Sequence, residues 1–463
     1  MDVADIIRGV SQGWARGIAS MKAFLRRRLV TASRFAAWTV CVAGSIYAVC
    51  AVDGQDGPAP APQAAATNAP ARQGRGGAAV DTLGTGPWDL KSELTGIHVS
   101  VVTKGLDHPW GMAFLPGGDM LVTERPGRLR VIRKGVLDPT PIGPLPEIRS
   151  AVLGGLMDVV LHPDFARNRL IYFVYSKPGQ EEPAKATTAV ARARWDGGST
   201  LTEVKDIFVA EPWFGGPDAP KGCCGQGPSD GSYGARMVFD RAGFLYVTLG
   251  DRNYGEKSQD PSSDWGKIVR LRDDGSVPPD NPFVGKVGYR PEIFTIGHRN
   301  PLGLTIDPMT AEMWSTEFGP RGGDELNVIK AGRNYGWITV THGTHYDGTP
   351  GGEPREGMEE PVLFWAPSIN PGNLSFYHGR KFPAWKGNML MAAMTRCVLR
   401  VTFDAQRKPV GQEKMLTELK QRFRDLRTGP DGDVYLLTDE TFGAVLKMEP
   451  AVPGGAGAQH LVF

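Results

Sequence analysis

Two arginines one residue apart, Arg422 and Arg424, stand in the run RFRDLRTGPDG. Alternate residues of a strand share a face, so both guanidinium groups project together. Like charges side by side repel unless an anion bridges them, and arginine offers a carboxylate a permanently charged fork. The plain alternative is a solvated strand face. Arg299-Asn300, in IGHRNPLGL, adds a cation and an amide, although alone the pair reads as a turn closed by an asparagine side chain. Asp324 and Glu325, in EFGPRGGDE, are the obvious oxygen ligands for a hard cation. The loop GCCGQGPSDGSYGAR holds Asp230 and the adjacent Cys223 and Cys224. A bridge between neighbouring cysteines closes a strained ring, and such bridges are usually functional; two separate thiols in a glycine-rich loop are the alternative. The histidines assemble no metal site. His342 and His345 are spaced for one helical turn but lie in glycine-rich sequence, and His162 in LHPDF reads as a turn residue. Neither a Ser/His/Asp hydrolase motif nor a phosphate-cradling glycine loop is visible.

The elements that must position these residues are short strands. Of 463 residues, 60 are glycine and 37 proline. Glycine is thus nearly twice its usual ~7%, which points to many tight turns. One pattern recurs: an apolar pair, an Asp/Pro-Gly-type turn, then an apolar strand ending in Thr, Ser, Gly or Asp. The copies begin at Gly111 (GMAFLPGGDMLVTER), Asp158 (DVVLHPDFARNRLIYFVYS) and Arg236 (RMVFDRAGFLYVTLGD). The others begin at Gly303 (GLTIDPMTAEMWSTEFG), Leu374 (LSFYHGRKFPAWKGNMLMAAM) and Leu426 (LRTGPDGDVYLLTDE). Each reads as a β-hairpin, and the spacing leaves room for about four strands per unit. The expected fold is all-β, a six-bladed propeller over residues 83–455 with a short tail, 456–463. A β-sandwich with fortuitous hairpins is the competing fold. Propellers bind ligands where inter-blade loops converge on the channel, which singles out 212–235, 252–300, 317–337 and 342–373.

Charge and hydropathy divide the rest. The chain has 52 Lys+Arg and 50 Asp+Glu. Seven of those bases fall in residues 1–34 against Asp2 and Asp5, so the remainder is net acidic and no nucleic-acid binder. Behind Arg26–Arg28, residues 35–52 form a predominantly apolar run, read as a signal peptide or uncleaved membrane anchor within 1–52. Residues 53–82 read as an Ala/Pro/Gly-rich linker. The folded part is therefore expected in the periplasm, free or anchored, where disulfides are permitted.

Several motifs together resemble the soluble PQQ-dependent glucose/sorbosone (aldose sugar) dehydrogenase family. They are HPWGMAFLPGGDMLVTERPGRLRVI from His108, GGLMDVVLHPDF from Gly154, GFLYVTLGDR from Gly243 and GKIVRLRDDGSVPPDNPF from Gly266. IGHRNPLGL from Ile296, STEFGPRGGDELNVI from Ser315 and RFRDLRTGPDG from Arg422 match most tellingly, in colinear order over about residues 95–450. The resemblance implies a six-bladed propeller that oxidises the anomeric carbon of aldoses to a lactone, using PQQ activated by calcium, and passes electrons to a respiratory acceptor. Carried over by position, it implies PQQ contacts at Arg299, Asn300, Trp365, Ser368, Arg422 and Arg424. Calcium would be held by the backbone carbonyls of Gly319 and Pro320, with Asp324 and Glu325 supporting the site or the fold.

Three positions depart from the pattern. The family's base histidine, four residues before the arginine of its strand, is Ser232 here; its glutamine before GGL is Leu153, and its cofactor lysine is Met394. An uncoupled serine has too high a pKa to take a proton at neutral pH. By analogy with a different, eight-bladed quinoprotein family, Asp230 is the candidate base and Cys223–Cys224 the group stacked on the cofactor. The alternative function is a propeller that binds cofactor or carbohydrate without turnover.

Overall fold

The structure is a computed structural model, and it describes residues 81–215, 224, 227 and 231–451. Six antiparallel sheets are wound as meanders, and their first strands contact one another in a closed ring. Blade 1 comprises Pro109–Phe114, Met120–Glu124, Arg128–Arg133 and Val136–Leu137; blade 2 comprises Leu156–Leu161, Leu170–Pro178, Lys185–Trp195 and Leu201–Val209. Blade 3 runs Gly234–Phe239, Leu245–Leu249, Lys267–Leu271 and Ile293–Ile296; blade 4 runs Pro301–Ile306, Met313–Glu317, Asp324–Ile329 and Leu363–Trp365. Blade 5 is Pro371–Phe376, Met389–Ala393, Cys397–Phe403 and Pro409–Met415. Blade 6 takes Phe423–Thr428, Val434–Thr438 and Gly443–Pro450 from one end of the sequence, and Gly96–Leu106 and Trp88–Lys91 from the other. Ile97 pairs with Pro450 and Leu106 with Gly443, so this sheet joins the two ends of the propeller. The six hairpins read in the sequence are the first two strands of the six blades. Residues 35–52 lie outside the described residues, among which no helix is long and apolar enough to cross a membrane.

Local chemistry explains the hairpins. In blade 3 the Asp240 carboxylate accepts the backbone N–H groups of Ala242 and Phe244, both at 2.9 Å, and Gly243 takes a φ of 85° that favours glycine. Second strands such as Leu245–Leu249 and Met389–Ala393 are buried at every residue, because blades stack on both their faces. Those strands therefore read as continuous apolar runs rather than alternating ones. The core is accordingly a set of layers between blades; Tyr172, Val190, Met237, Val247 and Val269 form part of one such layer.

In all six blades the register of the first strand against the second slips near its start: between Pro109 and Met112, Leu156 and Val159, Gly234 and Met237, Pro301 and Gly303, Pro371 and Leu374, and Phe423 and Asp425. A bulge re-aims the side chains beside it. Here six bulges surround one mouth of the channel. Below them the channel is plugged by charge. Arg236 meets Asp158 at 3.0 Å and Asp425 at 3.5 Å, and Arg427 reaches both carboxylates at 3.3 Å.

Candidate functional site

The bulged strand starts enclose a cavity of about 190 Å³ lined by Trp110, Met157, Tyr233, Leu302 and Phe318 among its apolar residues. Its polar lining comes from Ser232, Asn300, Asn370, Arg422 and Arg424, and Leu153 and Met394 complete it. The volume falls below the ~300 Å³ of ordinary ligand pockets, so a larger ligand keeps part of its surface toward the mouth. A wider depression of about 770 Å³ lies at the opposite ends of the inner strands, by Ile306, Phe376 and Thr428. Polar groups there serve the fold: His378 pairs with Asp307 at 3.1 Å and Asp431 accepts from Tyr435 at 2.8 Å.

Arg422 and Arg424 do share a wall of the cavity, and an anion does join them, but it comes from the protein. The Asp439 Oδ2 accepts from Arg424 at 2.7 Å and from Arg422 at 3.3 Å, while His108 Nδ1 lies 3.3 Å from its other oxygen. Burial alone would raise the Asp439 carboxyl; Arg424, the His108 hydrogen bond and Arg422 reverse this and hold it well below the usual carboxylate range. Arg422 also donates to the Met394 carbonyl and to its sulfur, both at 3.4 Å. The Arg424 Nε is buried and has no partner, and its guanidinium lies 5.8 Å from the Trp110 ring centroid.

Asn300 fixes the neighbouring blade, its Oδ1 accepting the Gly234 N–H at 3.0 Å. Arg299 donates to the Phe318 carbonyl and the Tyr346 hydroxyl, each at 3.2 Å, and its buried Nε has no partner. Beside it stands Asp251, wholly buried, which accepts from the Trp337 indole at 2.7 Å and the Asn253 N–H at 2.8 Å. Burial pushes the Asp251 carboxyl up to about 6, against the opposing pull of Arg299, these two hydrogen bonds and, least, the Ser232 hydroxyl. Ser232 lines the cavity and donates its hydroxyl to Asn253 Oδ1 at 2.7 Å, whereas Asp251 does not line it. Sequence reading missed both Asp251 and Asp439. Their signal was the Asp that ends a second strand or follows it, in LGD and LTDE.

Gly319 and Pro320 lie in a loop too tight for side chains: a Cβ on Gly319 would sit 2.2 Å from the Gly322 oxygen, and one on Gly323 2.3 Å from the Gly343 nitrogen. Asp324 secures this loop, accepting from Gly319 at 2.9 Å, Ile369 at 2.8 Å, Asn370 at 2.7 Å and the Ser368 hydroxyl. Its carboxylate is thus spent on the fold, and among the described residues no cluster of three His, Cys, Asp or Glu could hold a metal. Glu325 faces Glu317 across two strands; burial first and that neighbour second raise its pKa well above the ordinary value. Trp365 is not brought to the cavity: it packs in the layer with Trp314 and Leu374 and donates to Gln412 at 2.7 Å. Cys223 and Asp230 lie outside the described residues.

The family model "Glucose / Sorbosone dehydrogenase" matches residues 106–447. The aldose sugar dehydrogenase YliI of Escherichia coli is 39% identical over 363 residues, covering 76% of this chain and 93% of that protein. The crystal structure of the soluble aldose sugar dehydrogenase from Escherichia coli in its apo-form aligns with a TM-score of 0.70 at 38% identity, covering 77% of this chain and all of the other. The PQQ-bound aldose sugar dehydrogenase of Streptomyces coelicolor aligns with a TM-score of 0.58 at 26% identity, covering 76% and 98% of the two chains.

Proposed function

This chain belongs to the glucose/sorbosone dehydrogenase family, and from that premise we propose that it oxidises aldoses at the anomeric carbon to lactones in a PQQ- and calcium-dependent reaction. The observation that carries the reading is the cationic wall: Arg422 and Arg424 beside the cavity, each within reach of Asp439, with Asn300 on its rim. PQQ is a planar ortho-quinone with three carboxylates. The buried, unpartnered Nε of Arg424 at the cavity wall fits an anionic ligand, and the Trp110 and Phe318 rings fit a flat one. When bound, PQQ supplies an acceptor for two electrons from the anomeric carbon. Arg299, Arg422 and Arg424 would hold its carboxylates. The Gly319–Pro320 turn offers a cation backbone oxygen only, the ligand type calcium takes.

The chain's own residues then manage the proton. Ser232 Oγ, at the cavity wall, would receive the hydrogen bond of the anomeric hydroxyl, and turning its own proton from Asn253 Oδ1 to Asp251 would complete the transfer to that carboxylate. Asp251 has a pKa near the operating range, as a general base needs. The reading of residues 35–52 as a signal or anchor supports a site outside the cytoplasm, with a respiratory acceptor for the electrons. One observation favours a second reading, cofactor binding without turnover: Leu153 and Met394 give the cavity thioether and alkyl surface where the family carries polar groups. Reconstitution with PQQ and calcium, with binding and dye reduction measured separately, decides between them.

A further inference from the structure

One side of the cavity mouth is apolar by construction. Residues Ala151 to Gly154 form a tight turn, closed by the Gly154 N–H donating to the Ala151 carbonyl at 2.8 Å. Leu153 lines the cavity with 46% of its surface exposed, and Val152 beside it is 55% exposed. Val152 also holds a φ of 54°, a left-handed conformation that a β-branched residue adopts only against steric resistance. Burial does not explain two bare aliphatic side chains there, and strain of this kind gathers at ligand sites.

The turn is held as a rigid platform. Arg149 donates to the Ser176 carbonyl at 2.9 Å and accepts from its hydroxyl at 2.6 Å. Leu156 donates to the Arg125 carbonyl at 3.1 Å, and a Cβ on Gly155 would collide with that same oxygen. Gly154 packs against Ser176 and Tyr233, and Tyr233 is itself part of the cavity wall. Lip and cavity are thus one surface, continued inward by Met157 and Met394. Val152, Leu153, Met157 and Met394 offer no strong hydrogen bond to a sugar hydroxyl, and a site that recognises hydroxyls on that side would need such groups.

From this geometry we propose that the Val152–Leu153 turn is a specificity element that takes an apolar substituent of the substrate, so that the preferred class is an aldose or lactol bearing an alkyl or acyl group away from the oxidised carbon. The inference rests on the sugar dehydrogenase reading of the cavity. The Arg422 and Arg424 wall keeps its anionic ligand, and the reacting carbon faces Ser232. The small cavity leaves the rest of the substrate at the mouth, where the lip meets it.

The test uses a probe that cannot be oxidised: the anomeric-deoxy analogue of glucose, with and without an octanoyl ester on its primary hydroxyl. Calorimetry measures both on the full chain loaded with PQQ and calcium. Each methylene buried adds roughly fourfold to affinity, so three against the lip give roughly fiftyfold in favour of the ester. Leu153→Gln should erase most of that preference, while Leu153→Met should keep it. Val152→Gly should weaken the ester yet hold or raise the melting temperature. Equal binding of the two probes, or an equal loss of both in Leu153→Gln, overturns the proposal. Failure of PQQ itself to bind in the loading step would instead remove the functional reading on which it rests.

Discussion

At the scale of single residues, the site depends on how buried charges are shared. Asp439 neutralises one wall of the cavity, yet one anion between two guanidinium groups leaves net positive charge facing the ligand. Replacing Arg424 by alanine removes a charge-assisted contact of about 1.5–3 kcal/mol. PQQ affinity measured by titration should therefore fall roughly ten- to a hundredfold. Asp251 makes a prediction in pH. Its carboxyl is pushed up to about 6, so it is ionised above that value and competent as a base. Below it the proton is already present, and kcat/KM should fall about tenfold per unit of further acidification. Asp251→Asn should be slow at every pH and lose this acidic limb, while Asp251→Glu should recover part of it. PQQ binding should stay near the parent value in both. An unchanged limb in Asp251→Asn would take Asp251 out of the reaction. Arg422 and Arg424, which sequence reading put on one strand face, share a cavity wall, although Arg422 precedes the strand and the register slips between Phe423 and Asp425. Asp439 was not legible, because only the register of its own hairpin, Phe423 on Thr438, brings it to Arg422 and Arg424, and Asp251 was not, because its Trp337 partner lies in a loop beyond its own blade.

At the scale of elements, six repeated bulges do what no single loop could, turning the first residues of six strands toward one mouth. The hairpins were readable because a turn such as Asp240–Gly243 carries its own hydrogen bonds. The role of Trp365 was not readable: a tryptophan near a site and a tryptophan in a layer between blades look alike until packing is known. The Gly319–Pro320 turn yields a third prediction. Because Asp324 is fully engaged by the N–H groups of Gly319, Ile369 and Asn370, calcium would depend on backbone oxygens alone. Gly319→Ala forces a Cβ into contact with two carbonyl oxygens. Calcium-dependent PQQ binding should fall by more than tenfold, whereas calcium-free folding, read by circular dichroism, should be less affected. Excess chelator should release PQQ from the parent protein. Affinity that is indifferent to the chelator would remove calcium from the account.

At the scale of the molecule, the ring holds because its ends are joined in one sheet. Gly96–Leu106 pairs along its length with Gly443–Pro450, burying Ile97 and Val99 with Leu446 and Met448. Removing residues through Leu106 exposes an edge strand and this apolar layer. Such a truncation should lose the cooperative unfolding transition, or melt at least about 10 °C lower, in differential scanning calorimetry. The repeats could be counted from the sequence. Which strand closes the ring could not, since Trp88–Lys91 and Gly96–Leu106 carry no hairpin copy and find their partners at the far end of the chain.

The measurement that bears most directly on the whole is a PQQ titration of the full chain in calcium, followed by absorbance or calorimetry, with dye-linked oxidation of an aldose recorded on the same sample. The account predicts saturable binding of one PQQ per chain, weakened by Arg424→Ala, together with sugar-dependent dye reduction that declines below about pH 6 with Asp251. The absence of saturable binding would contradict it at the root.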